Sequence, residues 1–222
     1  MNALSLALEL LHAWDRGELA PSISERQPDF DWDGAYAVSK ALIALRRALH
    51  LKAIEDSAEI VRNEMPEAFF CGDRLEHLEY ALTHRKEGMI LEFGVFRGTS
   101  INYFAKRLRD QRFIGFDSFE GLAEDWKGHH AKRGTFDLKG TLPAVESNVQ
   151  LIKGWLDRSV PEYFRSQFDD EKIRFVHMDA DTFESTVIVL EQIAPYLRPG
   201  VLIMFDEYIG YPNWKNGEYR AW

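Results

Sequence analysis

The sequence is short of cysteine and of positive charge, and both shortages narrow the possible functions. Its 222 residues include one cysteine, Cys71, which excludes an internal disulfide framework and fits a reducing compartment. Lysine and arginine total 27 against 36 aspartates and glutamates, which gives a net charge of −9 at pH 7. This balance, with no run of basic residues, argues against a surface that binds nucleic acid.

Long apolar runs are also missing. No apolar stretch is long enough to cross a bilayer. The N-terminus carries Asn2, Glu9 and Asp15 within its apolar pattern, with neither a basic start nor a small-residue cleavage site, so we expect no signal peptide. The sequence therefore predicts a soluble cytoplasmic protein with no membrane partner.

A glycine is absent where a dinucleotide site would need one. Residues 89–93 predict a buried parallel strand, and a helix is predicted to begin at Thr99 or Ser100, either of which can cap it. A strand, a tight turn and a helix N-terminus are the common plan of nucleotide-type cofactor sites. A dinucleotide fingerprint requires glycine at the position of Phe96, so a pyrophosphate is disfavoured.

An acidic residue before the turn helps to choose among the remaining cofactors. Glu92 lies two residues before Gly94, and the next glycine is Gly98. This pattern suits a ligand with an amino-acid cation and no phosphate, a description that S-adenosylmethionine meets. Glu92 would face its ammonium group. The loop of residues 94–98, called the glycine loop below, would lie along its methionyl and ribose parts. The alternative is a loop that only packs a helix on a strand.

A second acid ends the next predicted strand, at residues 112–117. Asp117 is placed to accept hydrogen bonds from ribose hydroxyls, since it follows the glycine loop by about 20 residues at a strand's carboxyl end. Its neighbour Ser118 is a further candidate cofactor contact. The alternative is that Asp117 caps a turn, because Ser118 and Gly121 follow it.

Two later segments are candidates for covering the cofactor. Trp155 follows a third predicted strand at residues 149–152. Its ring is placed to stack near the adenine of the cofactor, and the alternative is a tryptophan of the hydrophobic core. Ser159 is predicted to cap the helix after it, with Pro161 in the first turn. The long polar segment of residues 123–142 is typical of a lid or a disordered loop.

Acidic residues follow the fourth and fifth predicted strands, at residues 173–178 and 201–205. Asp179 follows the fourth strand, and Asp206 and Glu207 follow the fifth. Because the carboxyl ends of parallel strands meet in one crevice, the three carboxylates are costly there unless a cation joins them. Oxygen ligands at this density favour Mg²⁺. The alternative is that they cap helices and pair with arginine or lysine.

Alternating strands and helices predict an α/β fold over residues 53–222, with a mostly parallel, Rossmann-like sheet and helices on both faces. Residues 1–52 predict a helical appendage. A helix of residues 3–14 ends at Asp15-Arg16-Gly17, a second begins after Asp31 or Asp33, and a separate charged helix covers residues 53–65. Asp73 and Glu76 form a predicted capping pair for the helix that follows.

The appendage resembles the N-terminus of 2-keto-4-pentenoate hydratases of the fumarylacetoacetase-like group. The matching residues are Leu11-His12-Ala13-Trp14-Asp15-Arg16-Gly17, Ala20-Pro21 and Gly34-Ala35-Tyr36-Ala37-Val38. The hydratase's glycine-rich segment and metal-binding carboxylates do not follow. We therefore carry over no hydratase activity.

From about residue 65 onward, the chain resembles the macrocin O-methyltransferase (TylF-like) family. The matching motifs, in order, are residues 91–98, 115–122, 154–155, 179–186 and 206–208. The resemblance implies a metal-dependent class I methyltransferase that acts on sugar hydroxyls of natural products. It implies that Asp179, Asp206 and Glu207 ligate Mg²⁺ and that Asp179 also serves as the base. It assigns Glu92 and Asp117 to the cofactor.

Two departures from the family keep other functions open. Glu207 stands where the family commonly has a second aspartate, and the chain reaches Trp222 before the last helix and strands of the class I fold. The sheet is therefore expected to lack its last strands, with an exposed edge or a homodimeric partner. The expected partner is a small-molecule hydroxyl acceptor. The alternatives are a catalytically impaired module that binds cofactor or partner, and a nicotinamide oxidoreductase.

Overall fold

The computed structural model describes residues 2–15, 18–169 and 172–222, which form two compact units. The first unit comprises Met1–Pro66, Lys127–His130 and Ile209–Trp214. The second comprises Glu67–Trp126, Ala131–Tyr208 and Lys215–Trp222. No helix among the described residues is both long and apolar enough to cross a bilayer.

Helices make up the regular structure of the first unit. They are α1 (Ala3–Asp15), α2 (Ile23–Arg26) and α3 (Trp32–Glu64). Leu6 and Ala7 of α1 pack on Val38 of α3. The Asp31 carboxylate caps α3 by accepting the N–H of Gly34 at 2.8 Å, as one of the two predicted caps.

The predicted break between two helices near residue 50 is wrong, because α3 runs through it as one helix of 33 residues. The stretch from Leu49 to Ala53 holds no glycine or proline that would end a helix. An ion pair between Lys52 and Asp56, one turn apart, supports the continuous helix. The predicted end of α1 at Arg16 and Gly17 lies outside the described residues.

The second unit is built on a five-stranded parallel sheet, as predicted. Its strands are β1 (Met89–Phe93), β2 (Phe113–Asp117), β3 (Val149–Lys153), β4 (Ile173–Met178) and β5 (Leu202–Phe205), in the order β3-β2-β1-β4-β5. Every residue of the central β1 is buried. This burial on both faces explains why the strand is apolar almost throughout.

Helices cover both faces of this sheet. The helices of the second unit are α4 (Arg74–His84), α5 (Thr99–Arg107), α6 (Leu156–Ser166), α7 (Phe183–Ile193) and α8 (Glu218–Ala221). Short 3₁₀ turns occupy Ala194–Tyr196 and Trp214–Asn216. One core cluster joins the sheet to α4 and α5, and another joins it to α6 and α7. The Rossmann-like prediction is thus confirmed.

In the second unit, the helix caps differ from the predictions at two of three sites. Asp73 caps α4 by accepting the N–H of Glu76 at 2.9 Å, as predicted. Gly98, with a left-handed φ of 77°, occupies the cap position of α5 in place of Thr99 or Ser100. Helix α6 begins at Leu156, three residues before Ser159, which places Pro161 inside the helix.

The segment predicted as a lid or disordered loop is folded where it belongs to the second unit. The N–H groups of Leu138 and Gly140 both donate to the carbonyl of Phe119, at 3.1 and 2.8 Å. Asp125 accepts the N–H of Arg133 at 2.9 Å and pairs with Lys132 at 3.1 Å. These internal bonds give the segment a defined course.

Candidate functional site

The carboxyl ends of the four adjacent strands β2, β1, β4 and β5 meet at one edge of the sheet. Backbone bonds extend the strand pairing past the strand ends. The N–H of Gly94 donates to Phe116, that of Asp179 to Phe93, and that of Asp206 to Met178, each at 2.9 Å. The predicted glycine loop and the predicted acidic residues therefore lie side by side, as the parallel topology requires.

Gly94 lies where the loop after β1 meets Asp179 at the end of β4. Its φ of 89° lies in the left-handed region, and a Cβ atom there would lie 1.7 Å from the carbonyl oxygen of Asp179. No side chain fits in that space. The glycine thus lets the loop after β1 pass directly against the end of β4.

The Asp117 carboxylate holds this loop. One oxygen accepts the N–H groups of Val95 and Phe96 at 2.8 and 2.7 Å, and the other accepts the N–H of Phe119 at 2.6 Å. These bonds fix Phe96 at a φ of 47°, a conformation that phenylalanine rarely adopts. The bond from Phe119 is the turn cap that the sequence analysis offered as the alternative for Asp117, whereas its bonds to the loop residues Val95 and Phe96 were not expected. The predicted contact of Asp117 with ribose stays a prediction.

Glu92 lies inside the protein, on β1. Its carboxylate accepts the Ser100 hydroxyl at 2.9 Å and lies 2.9 Å from Nδ1 of His177. Glu92 and His177 are register partners on β1 and β4, and both are almost fully buried. The predicted contact of Glu92 with an ammonium group stays a prediction.

The remaining predicted cofactor residues surround the loop and the ends of β2 and β3. Thr99 is exposed in the first turn of α5. Ser118 is buried, and its hydroxyl accepts the N–H of Glu120 at 3.0 Å. Trp155 is half-buried directly before α6. The ring of Phe96 meets that of Phe136 edge-on, with centroids 5.3 Å apart, so an aromatic pair borders the loop.

The predicted metal ligands divide between two adjoining groups of side chains. His177, Asp179 and Asp206 each offer a ligand atom within 4.8 Å of one another, and Asp179, Asp181 and Glu207 do the same. Asp179 belongs to both groups, so the predicted set of Asp179, Asp206 and Glu207 spans them. Asp181 has a left-handed φ of 61°, a strained conformation of the kind that clusters at functional sites.

The acidic groups at this edge disfavour one another's charge. Burial and the charges of Asp206 and Glu92 raise the pKa of Asp179 to about 7, although the charge of His177 opposes them. Burial and the nearby carboxylates raise the pKa of Asp181 to about 8 and that of Glu207 to about 11. The same causes raise the pKa of Glu218, on α8, to about 8. A cation would relieve this accumulation of buried carboxylates.

Two cationic side chains already face the cluster. Burial disfavours the charged form of His177, but the Asp206 and Glu92 carboxylates outweigh it and raise the His177 pKa to about 10. The Nε2 atom of His177 lies 3.5 Å from Asp206, an ion-pair distance. Arg74 lies 3.1 Å from Asp206 and 3.9 Å from Asp179. Burial raises the pKa of Asp206, but His177 and Arg74 outweigh burial and lower it.

The donor set fits a hard divalent ion. Oxygen atoms of Asp179, Asp206 and Glu207 are the ligand type that Mg²⁺ prefers. One carboxylate oxygen of Glu207 is buried and has no hydrogen-bond partner among residues 2–15, 18–169 and 172–222. The backbone N–H of Glu207 donates to Glu218 at 3.0 Å, which fixes the position of the main chain there. A polar atom left unpaired in this way is suited to a ligand.

Sequence reasoning did not select four residues of this site. Asp181 had the strongest signal, since it stands two residues after Asp179 in the same motif. His177 precedes that motif on β4, but its pairing with Glu92 depends on strand register. Arg74 and Glu218 reach the site from distant parts of the sequence, and no local pattern marks either one.

Comparison with known proteins decides the family. The family model described as "Methyltransferase domain" matches residues 91–208, more than half of the chain. The chain belongs to the methyltransferase domain family. The matched range contains the glycine loop, Asp117 and the acidic residues that follow β4 and β5. The family model therefore spans the ends of β1, β2, β4 and β5 described above.

Two curated relatives of this methyltransferase domain are named as O-methyltransferases. The 8-demethyl-8-(2,3-dimethoxy-α-L-rhamnosyl)-tetracenomycin-C 4′-O-methyltransferase of Streptomyces olivaceus is 27% identical over 164 residues, covering 61% of this chain and 60% of the relative. The mycinamicin III 3″-O-methyltransferase of Micromonospora griseorubida is 27% identical over 161 residues, covering 61% of each protein. The chain thus spans about three fifths of the length of these relatives.

A solved structure supports the same fold. The crystal structure of CalS11, a calicheamicin methyltransferase, matches with a TM-score of 0.54 at 26% identity. The match covers 81% of this chain and 82% of that one. The hydratase resemblance of the first 50 residues stays a prediction.

Proposed function

We propose that this methyltransferase domain transfers a methyl group from S-adenosylmethionine to a hydroxyl group of a sugar or another diol-containing natural product, with Mg²⁺. The observation that carries the proposal is the contact at Gly94, which places the glycine loop directly against Asp179. A cofactor loop and a cluster of oxygen ligands then share one crevice. The two relatives named as O-methyltransferases, one of them for a rhamnosyl-bearing tetracenomycin, support the choice of acceptor.

The residues around the loop are proposed to bind the cofactor. Bound S-adenosylmethionine would supply an electrophilic methyl group. Gly94 and Gly98 let the backbone approach the cofactor closely, and Asp117 fixes the conformation of the loop. The hydrogen-bonded pair of Ser100 and Glu92 lies beneath the loop at the start of α5. The candidates Phe96, Thr99, Ser118 and Trp155 complete the proposed set.

The acidic residues are proposed to bind and orient the acceptor. Asp179, Asp206 and Glu207 would hold Mg²⁺, which would lower the pKa of the acceptor hydroxyl. A carboxylate oxygen of Asp179 would take the hydroxyl proton, because Asp179 lies at the junction of the loop and the cluster. Orientation of the two reactants in one crevice supplies much of the rate.

A labelled-methyl assay tests this function. The protein is incubated with S-adenosylmethionine that carries a trideuterated methyl group and with a panel of rhamnosides and catechols, in Mg²⁺ or in EDTA. The products are analysed by mass spectrometry. We expect a mass gain of one labelled methyl group with Mg²⁺ and none with EDTA or with Asp179→Asn. Asp110→Asn, on an exposed turn before β2 and so at the opposite end of that strand from the site, serves as the control that keeps activity.

Other outcomes would assign other functions. Binding of S-adenosylhomocysteine without transfer to any acceptor would indicate the catalytically impaired module. Binding of a nicotinamide dinucleotide in its place would contradict the proposal. Transfer that is unchanged in EDTA would remove Mg²⁺ from it.

A further inference from the structure

We propose that Arg74 is a built-in counter-cation of the acidic cluster, which competes with a divalent metal ion for Asp206 and Asp179. The inference rests on the metal-binding part of the proposed function. Arg74 would set how tightly the metal ion is held. When no metal ion is bound, Arg74 would offset the repulsion between the carboxylates.

The contacts of Arg74 carry the proposal. Its Nη2 atom donates to Oδ1 of Asp206 at 3.1 Å and lies 3.9 Å from Oδ2 of Asp179. Both carboxylates belong to the proposed ligand set, and both also belong to the group that contains His177. The guanidinium therefore lies where the positive charge of a bound metal ion would act.

The position of Arg74 in its helix argues against a role in helix stability. Arg74 is the first residue of α4, directly after the Asp73 cap. A positive side chain in the first turn of a helix opposes the helix dipole and is therefore unfavourable there. The ion pairs with Asp206 and Asp179 offset that cost.

Arg74 is also able to move away from the cluster. Its side chain is 60% exposed, whereas those of Asp179 and Asp206 are 24% and 16% exposed. A guanidinium on the solvent side of a partly buried carboxylate pair can rotate outward without opening the core. His177, by contrast, is fully buried between two carboxylates and stays in place.

Electrostatics then predicts competition. A divalent ion and a guanidinium close to the same carboxylates repel each other. Binding of the ion must therefore displace Arg74, or the repulsion lowers the affinity for the ion. Removal of the Arg74 charge should strengthen metal binding. The same removal should lower the stability of the folded protein when no metal ion is present, because the carboxylates then lose a counter-charge.

Mn²⁺ titration followed by electron paramagnetic resonance measures the competition without any catalytic readout. The proteins are wild type, Arg74→Met, Arg74→Lys and Arg107→Met. Arg107 pairs with Glu79 at 3.0 Å in the same unit and serves as the matched control for loss of an exposed arginine. Each protein is titrated at low salt and again in 0.5 M KCl, and each is melted in EDTA and in saturating Mn²⁺.

We expect Arg74→Met to bind Mn²⁺ about fivefold more tightly than wild type at low salt, the size set by a partly exposed ion pair. The difference should shrink in KCl because salt screens the repulsion. Arg74→Lys should stay within about twofold of wild type, and Arg107→Met should not change. In EDTA, Arg74→Met should melt below wild type, and saturating Mn²⁺ should remove or reverse that gap.

Three results would overturn the inference. Equal or weaker Mn²⁺ binding in Arg74→Met, with clear binding to wild type, would contradict the competition and leave the proposed function intact. An Arg74→Met deficit in melting temperature that Mn²⁺ leaves unchanged would indicate a purely structural ion pair. Absence of Mn²⁺ binding in all four proteins would overturn both the inference and the metal in the proposed function.

Discussion

Replacement of Asp117 by alanine is expected to damage the glycine loop itself, whether or not cofactor is bound. The carboxylate accepts three backbone N–H groups, from Val95, Phe96 and Phe119. Hydrogen bonds to a charged group contribute about 1.5–3 kcal/mol each, and some of the freed N–H groups will find water. A loss of about 3 kcal/mol in the free energy of unfolding is therefore expected.

Thermal unfolding and calorimetric titration with S-adenosylhomocysteine measure the two consequences. For a chain of this size, about 3 kcal/mol corresponds to a fall of about 6–12 °C in melting temperature. Binding of S-adenosylhomocysteine should also weaken, because the strained Phe96 backbone is no longer held. Asp117→Asn, which keeps one carbonyl acceptor, should lie between alanine and wild type.

The control is Asp137→Ala, which removes a single N–H acceptor on an exposed turn and should change the melting temperature little. Loss of affinity for S-adenosylhomocysteine in Asp117→Ala, with a cofactor-free melting temperature equal to that of wild type, would refute the loop-holding role of Asp117. That result would make Asp117 a ribose ligand alone.

Three further substitutions test other parts of the structure. Gly94→Ala should abolish cofactor binding because its Cβ would lie 1.7 Å from the carbonyl oxygen of Asp179. Gly134→Ala, with a φ of 79° and nothing within 4 Å of its Cβ, should lower stability by only about 1 kcal/mol. Equal effects of the two substitutions would contradict the steric role of Gly94. Asp73→Ala should destabilise α4 by about 1 kcal/mol in a denaturant titration, through loss of its cap. Glu218→Ala should lower the free energy of unfolding by about 1–3 kcal/mol by leaving a backbone N–H unpaired, and Glu218→Gln should not; an alanine variant as stable as wild type would remove that role.

The sheet and its strand edge follow from the sequence because their signals are local. An apolar run predicts each buried strand, and an acid lies in or directly after the last two residues of β1, β2, β4 and β5. Parallel topology then brings them together without further information. Five strands and the edge that holds Asp117, Asp179 and Asp206 were predictable for this reason.

The contacts that decide the roles of these residues are not local. The pairing of Glu92 with His177 depends on the register of β1 against β4, and a shift by one residue would turn one side chain to the opposite face. Arg74 reaches Asp206 across 132 positions of sequence. The cap of α5 was missed because Gly98 adopts the left-handed conformation and Ser100 turns its hydroxyl to Glu92.

The central claim is that a cofactor and a metal ion share the crevice between the glycine loop and the acidic edge. A crystal structure with S-adenosylhomocysteine and Mn²⁺, with anomalous data at the manganese edge, tests it most directly. We expect one anomalous peak among Asp179, Asp206 and Glu207, with the homocysteine moiety beside the loop of residues 94–98. A peak elsewhere, or a ligand bound away from that loop, would contradict the account.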